Sequence, residues 1–183
     1  MNRIRVRATG LLLTAILIWC PVAVHAASRQ ELNRDGTKAL KSLYANNSAA
    51  RLLGSKAKAI LVFPSIVKAG FMFGGQIGEG VLLKNGQPAG YYNSVAASYG
   101  LQAGVQVFGY ALFFMNSDAL NYLDNSDGWE VGVGPSIVVV DKGMGKSMTS
   151  TTITQDVYAF IFDQKGLMGG LGIQGSKITR ISK

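Results

Sequence analysis

Two sets of residues in the sequence have types that could bind phosphate or catalyse a reaction. The segment VVVDKGMGKS, residues 138–147, ends in the Gly-Lys-Ser triplet of a P-loop, but that loop requires a glycine where this chain has Val140. The residues that follow, MTSTTITQ, are rich in β-branched side chains and do not predict the helix that the motif needs. We therefore expect a glycine-containing loop here, without nucleotide binding.

The carboxylates are the second set, because paired carboxylates can provide general acid and base catalysis. Those beyond residue 100 are scattered, several at expected caps or turns, and no spacing pairs them: Asp118, Asp124, Asp127, Glu130, Asp141, Asp156 and Asp163. The one histidine, His25, and the one cysteine, Cys20, both precede residue 27. The chain from residue 27 onward therefore contains no imidazole base, no thiol nucleophile and none of the usual histidine or cysteine ligands of zinc. We expect no catalytic residue, no metal and no cofactor, and hence a protein that is not an enzyme.

The N-terminal residues have the features of a secretory signal peptide. Three arginines in the first seven residues precede an uncharged apolar stretch, which ends in VHAA with small residues before a cleavage point after Ala26. The bulky Trp19 in front of Cys20 argues against lipoprotein processing at that cysteine. An uncleaved N-terminal anchor is the alternative. We expect a signal peptide over residues 1–26 and a single domain over 27–183, exported to the periplasm.

The exported part begins with helical patterns. Ser28 and Glu31 have the spacing of a capping box, which predicts the start of a helix. Its apolar residues share one face at helical periodicity (Leu32, Ala39, Leu40, Leu43), and its basic residues share the opposite face (Arg34, Lys38, Lys41). The triplet NNS at 46–48 predicts its end and a second short helix over about 48–57. A third helix is expected over 118–126, capped by Asn116 or Ser117.

From residue 59 the pattern changes to strands rich in aromatic and β-branched residues, with glycines between them. The strand AILVF is expected to end at Pro64, and Asn85-Gly86 predicts a hairpin turn. Six further strand candidates follow: GFMFGGQIGEGVLL, GYYNSVAASYG, LQAGVQVFGYALFFM, WEVGVGPSIVVV, DVYAFIFD and GLMGGLGIQGSKITRI. The order predicts an α+β fold, with N-terminal amphipathic helices and a curved, glycine-rich, largely antiparallel, barrel-like sheet interrupted by one helix.

The stretch GFMFGGQIGEGVLLKNG, residues 70–86, contains six glycines. Its glycines do not fit a dinucleotide-binding fingerprint, and charged or polar residues interrupt it too often for a membrane helix. In a strand, Gly78 and Gly80 share one face, and such a bare face lets another element approach closely or lets the sheet bend. We therefore expect these glycines to shape the scaffold and lipid contact to lie elsewhere.

Basic residues are concentrated in the first quarter of the exported part. Residues 27–68 contain eight basic and two acidic residues, whereas residues 69–183 contain seven basic and eight acidic residues. Such segregation indicates an anionic partner, either lipid headgroups or nucleic acid, and the alternative is a solvated helical face. Export favours a membrane, so we expect no nucleic-acid partner.

Several strings in order along the chain resemble the SYLF domain family, whose members are lipid-binding modules of bacteria and eukaryotes. The strings are AILVFPSIVKAGFMFGGQIGEGVLL, SYGLQAGVQVFGYALFFMN, VGVGP and DQKGLMGGLGIQGSKI, and the resemblance covers roughly residues 38–178. Residues 63–81 and 165–176 are similar to the two glycine-rich signatures of the family. The resemblance implies a binding module with basic residues and an N-terminal amphipathic helix at a lipid surface. Eukaryotic relatives are associated with phosphoinositides, and some also bind actin.

The resemblance and the charge pattern predict an envelope-associated module that binds anionic phospholipid headgroups at a membrane surface. The resemblance places the lipid-binding residues in the N-terminal part, and Arg34 is included because it shares the basic helical face with Lys38 and Lys41. The predicted lipid-binding residues are Arg34, Lys38, Lys41, Arg51, Lys56, Lys58 and Lys68. Each basic residue near an anionic surface contributes about 1 kcal/mol. Two alternatives stay open: a structural or interaction protein with an envelope protein partner, and a carrier of a hydrophobic ligand inside the sheet.

Overall fold

A computed structural model describes residues 26–125, 129–130, 134–140, 148–149 and 153–183, with side-chain environments for all of these except 100–102, 130 and 168–176. The predicted signal peptide lies almost entirely outside the described residues. The predicted glycine-containing loop at 141–147 lies outside them too.

The three predicted helices are confirmed. Helix α1 spans Arg29–Asn46, α2 spans Ser48–Gly54 and α3 spans Ser117–Asn125. Ser28 and Glu31 form the predicted capping box at the start of α1. Asn47 ends α1 and caps α2, because its side-chain oxygen accepts the backbone N–H of Ala50 at 3.0 Å. Asn116 caps α3 in the same way through Ala119.

Three long strands dominate the sheet. They are β1 (Ala59–Lys84), β2 (Gln87–Phe114) and, after the short β3 (Trp129–Glu130) and β4 (Ile137–Val139), the strand β5 (Val157–Ile181). The order is β1-β2-β5-β3, all antiparallel, with β4 parallel to one end of β5. The expected α+β fold with a curved, largely antiparallel sheet is therefore confirmed.

The predicted strand boundaries are partly wrong. Strand β1 does not end at Pro64 but continues through it, with a register shift between Phe63 and Ile66. This is possible because β1 is an edge strand, where a proline leaves no ladder hydrogen bond unmade. The breaks expected within β2 and β5 are also absent. The Asn85-Gly86 turn, in contrast, is confirmed, with φ angles of 51° and 75° that suit a tight hairpin.

The ends of the long strands build two core clusters on opposite faces of the sheet. Leu112 and Phe114 belong to one cluster, which packs α3 and Trp129 against the sheet. Phe113, between them, belongs to the other cluster, which packs α1 and α2 against the sheet. Adjacent strand residues face opposite sides, so the ends of the sheet are covered on both faces. The middle parts of the strands lie outside both clusters.

Candidate functional site: a basic helix and an apolar sheet tip

The basic face predicted for α1 is exposed as expected. Arg34, Lys38 and Lys41 all face solvent, while Leu32 and Leu40 are buried on the opposite side. Because that apolar face packs in the core, α1 can meet a membrane only through its charged face. Any apolar contact with lipid must come from another element.

One charge on this face is partly compensated. Nε of Arg34 lies 2.8 Å from Oδ1 of Asp35, and this hydrogen bond lowers the pKa of the Asp35 carboxyl. Both side chains are well exposed, so the pair contributes little to stability. Lys38 and Lys41 therefore carry most of the positive charge of this face.

The structure places the other predicted lipid-binding residues in two locations. Arg51, in α2, and Lys56 and Lys58, just before β1, are exposed like the basic face of α1. Lys68 is different, because it lies within β1 and is half-buried. Four of the seven predicted residues thus lie in α1 and α2, Lys56 and Lys58 lie in the connection to β1, and Lys68 lies in the sheet.

Polar contacts fix both ends of α1. Just before the helix, the backbone N–H of Ala27 donates to Oε2 of Glu79 at 3.0 Å, and Nζ of Lys183 donates to the Ala27 carbonyl at 2.7 Å. Near its other end, Oγ of Ser42 lies 3.5 Å from Oδ2 of Asp163. Helix α1 therefore spans the distance between an acidic residue of β1 and an acidic residue of β5.

Strand β1 reverses its direction around residues 71–73, so that its two halves contact each other. A β-carbon on Gly70 would lie 2.5 Å from Cα of Gly74, and one on Gly78 would lie 2.7 Å from Cγ1 of Ile66. The predicted role of the bare glycine face is therefore confirmed, and the element that approaches it is the other half of the same strand. Met72, at the reversal, has a φ of 61°, which is uncommon outside glycine.

The reversal produces a projecting part of the sheet, which we call the apolar tip: residues 69–78 of β1, 94–99 and 103–105 of β2, and 166–167 of β5. Large apolar side chains are exposed there: Phe71 is 76% exposed, Phe73 70%, Tyr99 62% and Leu167 88%. The rings of Phe73 and Tyr99 contact each other with centroids 5.0 Å apart. Contiguous exposed apolar groups of this kind mark a surface that binds a partner or a membrane.

No residue of the apolar tip is charged, and β2 has no charged residue anywhere along its length. The sequence pattern does not predict this surface, because it assigns the glycines of 70–86 to the scaffold and places lipid contact elsewhere. The signal was present in the apolar run Phe71, Met72 and Phe73, which lies between Gly70 and Gly74. A strand pattern alone could not show that these aromatic residues lie outside the core.

The carboxylates of Asp124 and Asp156 make hydrogen bonds and an ion pair that join elements of the fold. Asp124 accepts a hydrogen bond from the Tyr92 hydroxyl at 2.8 Å and pairs with Lys84 at 3.3 Å. Burial, and secondarily the hydrogen bond to Asp124, raises the pKa of Tyr92. Asp156 accepts from Nδ2 of Asn116 at 2.7 Å and from the backbone N–H of Ser136 at 3.2 Å. These groups hold α3 and β4 against the long strands.

A groove of about 520 Å³ lies between the C-terminal part of α1 and strands β4 and β5. It is lined by Ser42, Asn46, Val139, Phe160 and Phe162, among others.

Among the described residues, no three histidine, cysteine or carboxylate side chains are grouped as metal ligands. Within the same part of the chain, no helix combines the length and the apolar character that crossing a bilayer requires.

Comparison with known protein families matches residues 95–183 to the family described as "Ysc84: Las17-binding protein actin regulator". The matched residues include most of β2, all of β5 and the second glycine-rich signature at 165–176. The resemblance to the SYLF family is therefore confirmed over these residues. The first signature, at 63–81, precedes the match. No curated protein matches the chain.

Proposed function

Residues 95–183 belong to the Ysc84 (SYLF) family, and on that premise we propose that the protein is a membrane-binding module and not an enzyme. It is exported after removal of residues 1–26, and residues 27–183 form one domain at the periplasmic surface of an envelope membrane. Its ligands are the headgroups of anionic phospholipids. The family supports lipid-related or actin-related binding in general, and the charge distribution favours lipid.

The observation that carries the proposal is the exposed basic face of α1. Lys38 and Lys41 lie on the solvent side of a helix whose other face is buried in the core. The helix is therefore held rigidly, with its positive charges directed away from the protein. Arg51, Lys56 and Lys58 add further exposed positive charge in the following segment. Attraction of this kind is screened by salt, because the charges are exposed.

Cosedimentation with vesicles tests the proposal. The protein is purified in the form that the cell exports, and its N-terminus is determined by mass spectrometry. Vesicles of phosphatidylglycerol mixed with phosphatidylcholine are compared with vesicles of phosphatidylcholine alone, at low and at high salt. We expect stronger binding to the anionic vesicles and weakening of that binding at high salt.

The double variant Lys38→Gln/Lys41→Gln identifies the contact surface. Loss of two basic residues, each contributing about 1 kcal/mol, lowers partitioning into anionic vesicles about thirtyfold. The matched variant Lys38→Arg/Lys41→Arg keeps the charges and is expected to bind like the unchanged protein. Equal binding to both kinds of vesicle, or binding that does not respond to the glutamine variant, would contradict a headgroup contact at α1.

A second candidate function is protein binding, which the family description favours because it names a Las17-binding protein and actin regulation. On this hypothesis the chain binds an envelope protein and has no preference for anionic lipid. Chemical cross-linking in intact cells, followed by mass spectrometry, separates the two hypotheses. A single protein cross-linked through α1, together with no vesicle binding, would favour the second one.

A further inference from the structure

The apolar tip is the largest concentration of exposed apolar side chains in the part of the chain that the structure describes. Eight of the eleven large apolar side chains that are exposed among the described residues belong to it. The proposed headgroup contact at α1 does not use any of them. Exposure of such an apolar surface to water is unfavourable, by about 25 cal/mol for each Å² of apolar area.

Both outer surfaces of the tip are apolar, not only one. On one surface a row of paired residues crosses the sheet from Ala69 through Val105 to Leu167. On the other surface Ile77 is paired with Val95, and Phe73 with Tyr99 lies nearer the reversal. A folded protein partner would cover one of these surfaces and leave the other in water. The acyl chains of a lipid leaflet would surround both.

A lysine marks the end of the apolar rows on each outer surface. Lys165 lies in the row that continues through Val107 to Val67, next to the row that contains Leu167. Lys177 lies in the row of Val95, on the opposite surface. Both lysines are exposed. Positive charges at the boundary of an apolar surface match anionic headgroups at the boundary of a hydrocarbon layer.

The dimensions of the tip fit one leaflet. Met72, at the reversal, lies four positions after Lys68, which corresponds to about 13 Å of extended strand. Half of the hydrocarbon core of a bilayer is about 15 Å thick. Strand β1 pairs only with β2 in the described sheet, so the other edge of β1 keeps unpaired polar backbone groups, whose cost in hydrocarbon opposes deeper insertion or spanning of the bilayer. The tip is thus suited to partial insertion from one side.

Helix α1 lies at the level where the charged residues border the tip. One end is tied to Glu79, directly after the charge-free part of β1, and the other contacts Asp163, shortly before the charge-free part of β5. A membrane that received the tip would therefore have α1 near its headgroups. Lys41 is adjacent to Ser42, whose hydroxyl makes the contact with Asp163.

We propose that the apolar tip inserts into the acyl-chain layer of one membrane leaflet, with Lys165 and Lys177 at the level of the anionic headgroups. This inference rests on the proposed membrane-binding function and adds the element that penetrates. The reversal at residues 71–73 places Phe71 and Phe73 deepest in the acyl-chain layer. The close contact between the glycine faces of the two halves of β1 keeps the inserted part thin.

Tryptophan fluorescence measures insertion directly. The variant Phe71→Trp is mixed with anionic vesicles that contain lipids brominated along their acyl chains, which quench tryptophan only within the hydrocarbon layer. The matched variant Val139→Trp places the same reporter at an exposed apolar site outside the tip. We expect a blue shift and strong quenching for Phe71→Trp, beyond the signal of the native tryptophan, and neither change for Val139→Trp.

A second pair of variants measures the contribution of the tip to binding. Phe71→Ser/Phe73→Ser is expected to lower partitioning into anionic vesicles by at least about tenfold, because two large apolar side chains no longer leave water. Val139→Ser/Ile161→Ser removes two exposed apolar side chains outside the tip and is expected to leave partitioning unchanged. Circular dichroism and urea unfolding of each variant establish that it is folded.

The possible outcomes separate this inference from the proposed function. Vesicle binding without quenching at Phe71→Trp would overturn insertion and leave headgroup binding intact. Absence of binding to any vesicle would overturn both. Self-association in sedimentation velocity that Phe71→Ser/Phe73→Ser abolishes, without quenching by lipid, would assign the tip to a second copy of the chain and would overturn insertion.

Discussion

The ammonium Nζ of Lys183 lies 2.9 Å from both carboxylate oxygens of Glu79, across a sequence separation of 104 residues. Both side chains are largely buried, and Glu79 also accepts the backbone N–H of Ala27. The pair joins the end of β5, the second half of β1 and the segment that leads into α1. It therefore fixes the position of the basic helix relative to the sheet.

Removal of this ion pair should destabilise the fold. Lys183→Met leaves a largely buried carboxylate with one fewer donor, and we expect a loss of about 1–3 kcal/mol in the free energy of unfolding, measured with urea. Lys177→Met, on the same strand but exposed, is the matched control and should change stability by less than about 0.5 kcal/mol. Equal losses of unfolding free energy for the two substitutions would show that the contact between Lys183 and Glu79 does not stabilise the fold.

The contact between the two halves of β1 predicts that substitution by alanine changes stability differently at two nearby glycines, Gly78 and Gly75. A β-carbon at Gly78 would lie 2.8 Å from the Ser65 carbonyl oxygen and 3.1 Å from Cα of Ile66, so Gly78→Ala forces the backbone apart. We expect a loss of about 1–3 kcal/mol in chemical unfolding. At Gly75 the nearest atom, the carbonyl oxygen of Ala96, is 3.6 Å away. Gly75→Ala should therefore be neutral or slightly stabilising, and a loss as large as that at Gly78 would contradict the reversal.

Two adjacent asparagines test the junction between α1 and α2. Asn47→Ala removes the oxygen that accepts the Ala50 N–H at the start of α2, and we expect a loss of about 1 kcal/mol in thermal or urea unfolding. Asn46→Ala removes an exposed side chain whose amide donates to the Ser42 carbonyl within the same helix. Its loss should be less than about 0.5 kcal/mol. A larger effect at Asn46 than at Asn47 would contradict the assignment of the cap.

Asp156 predicts a pH dependence of stability. Its hydrogen bonds from the Asn116 side chain and the Ser136 backbone lower the pKa of the Asp156 carboxyl below its ordinary value of 3.8. A lowered folded-state pKa gives stability that is present above pH 3.8 and is lost as the pH falls through the folded-state value. We expect the difference in unfolding free energy between the unchanged protein and Asp156→Asn to be constant near neutral pH and to shrink below about pH 4.

Urea unfolding at a series of pH values measures this difference. The other carboxylates are common to both proteins, so their titration largely cancels in the comparison. A difference that grows on acidification would mean that the Asp156 contacts favour the protonated carboxyl, contrary to the geometry.

The sequence by itself determined the local features of this protein. Ser28 with Glu31, Asn47 and Asn116 specify helix starts, because each supplies the side-chain oxygen that the first turn needs. Asn85-Gly86 specifies the hairpin, because those residues tolerate positive φ. The basic face of α1 also followed from residue spacing alone, and so did the bare glycine face.

Only the tertiary structure decided where these features lie relative to each other. A local rule predicts a strand end at Pro64, yet β1 passes through it because pairing with β2 resumes at Ile66 after a register shift. Phe71 and Phe73 have the sequence pattern of core residues, and they are exposed because β1 folds back on itself at that point. Reversal of a strand depends on contacts between residues such as Gly78 and Ile66, and no short-range pattern specifies which distant residues will meet.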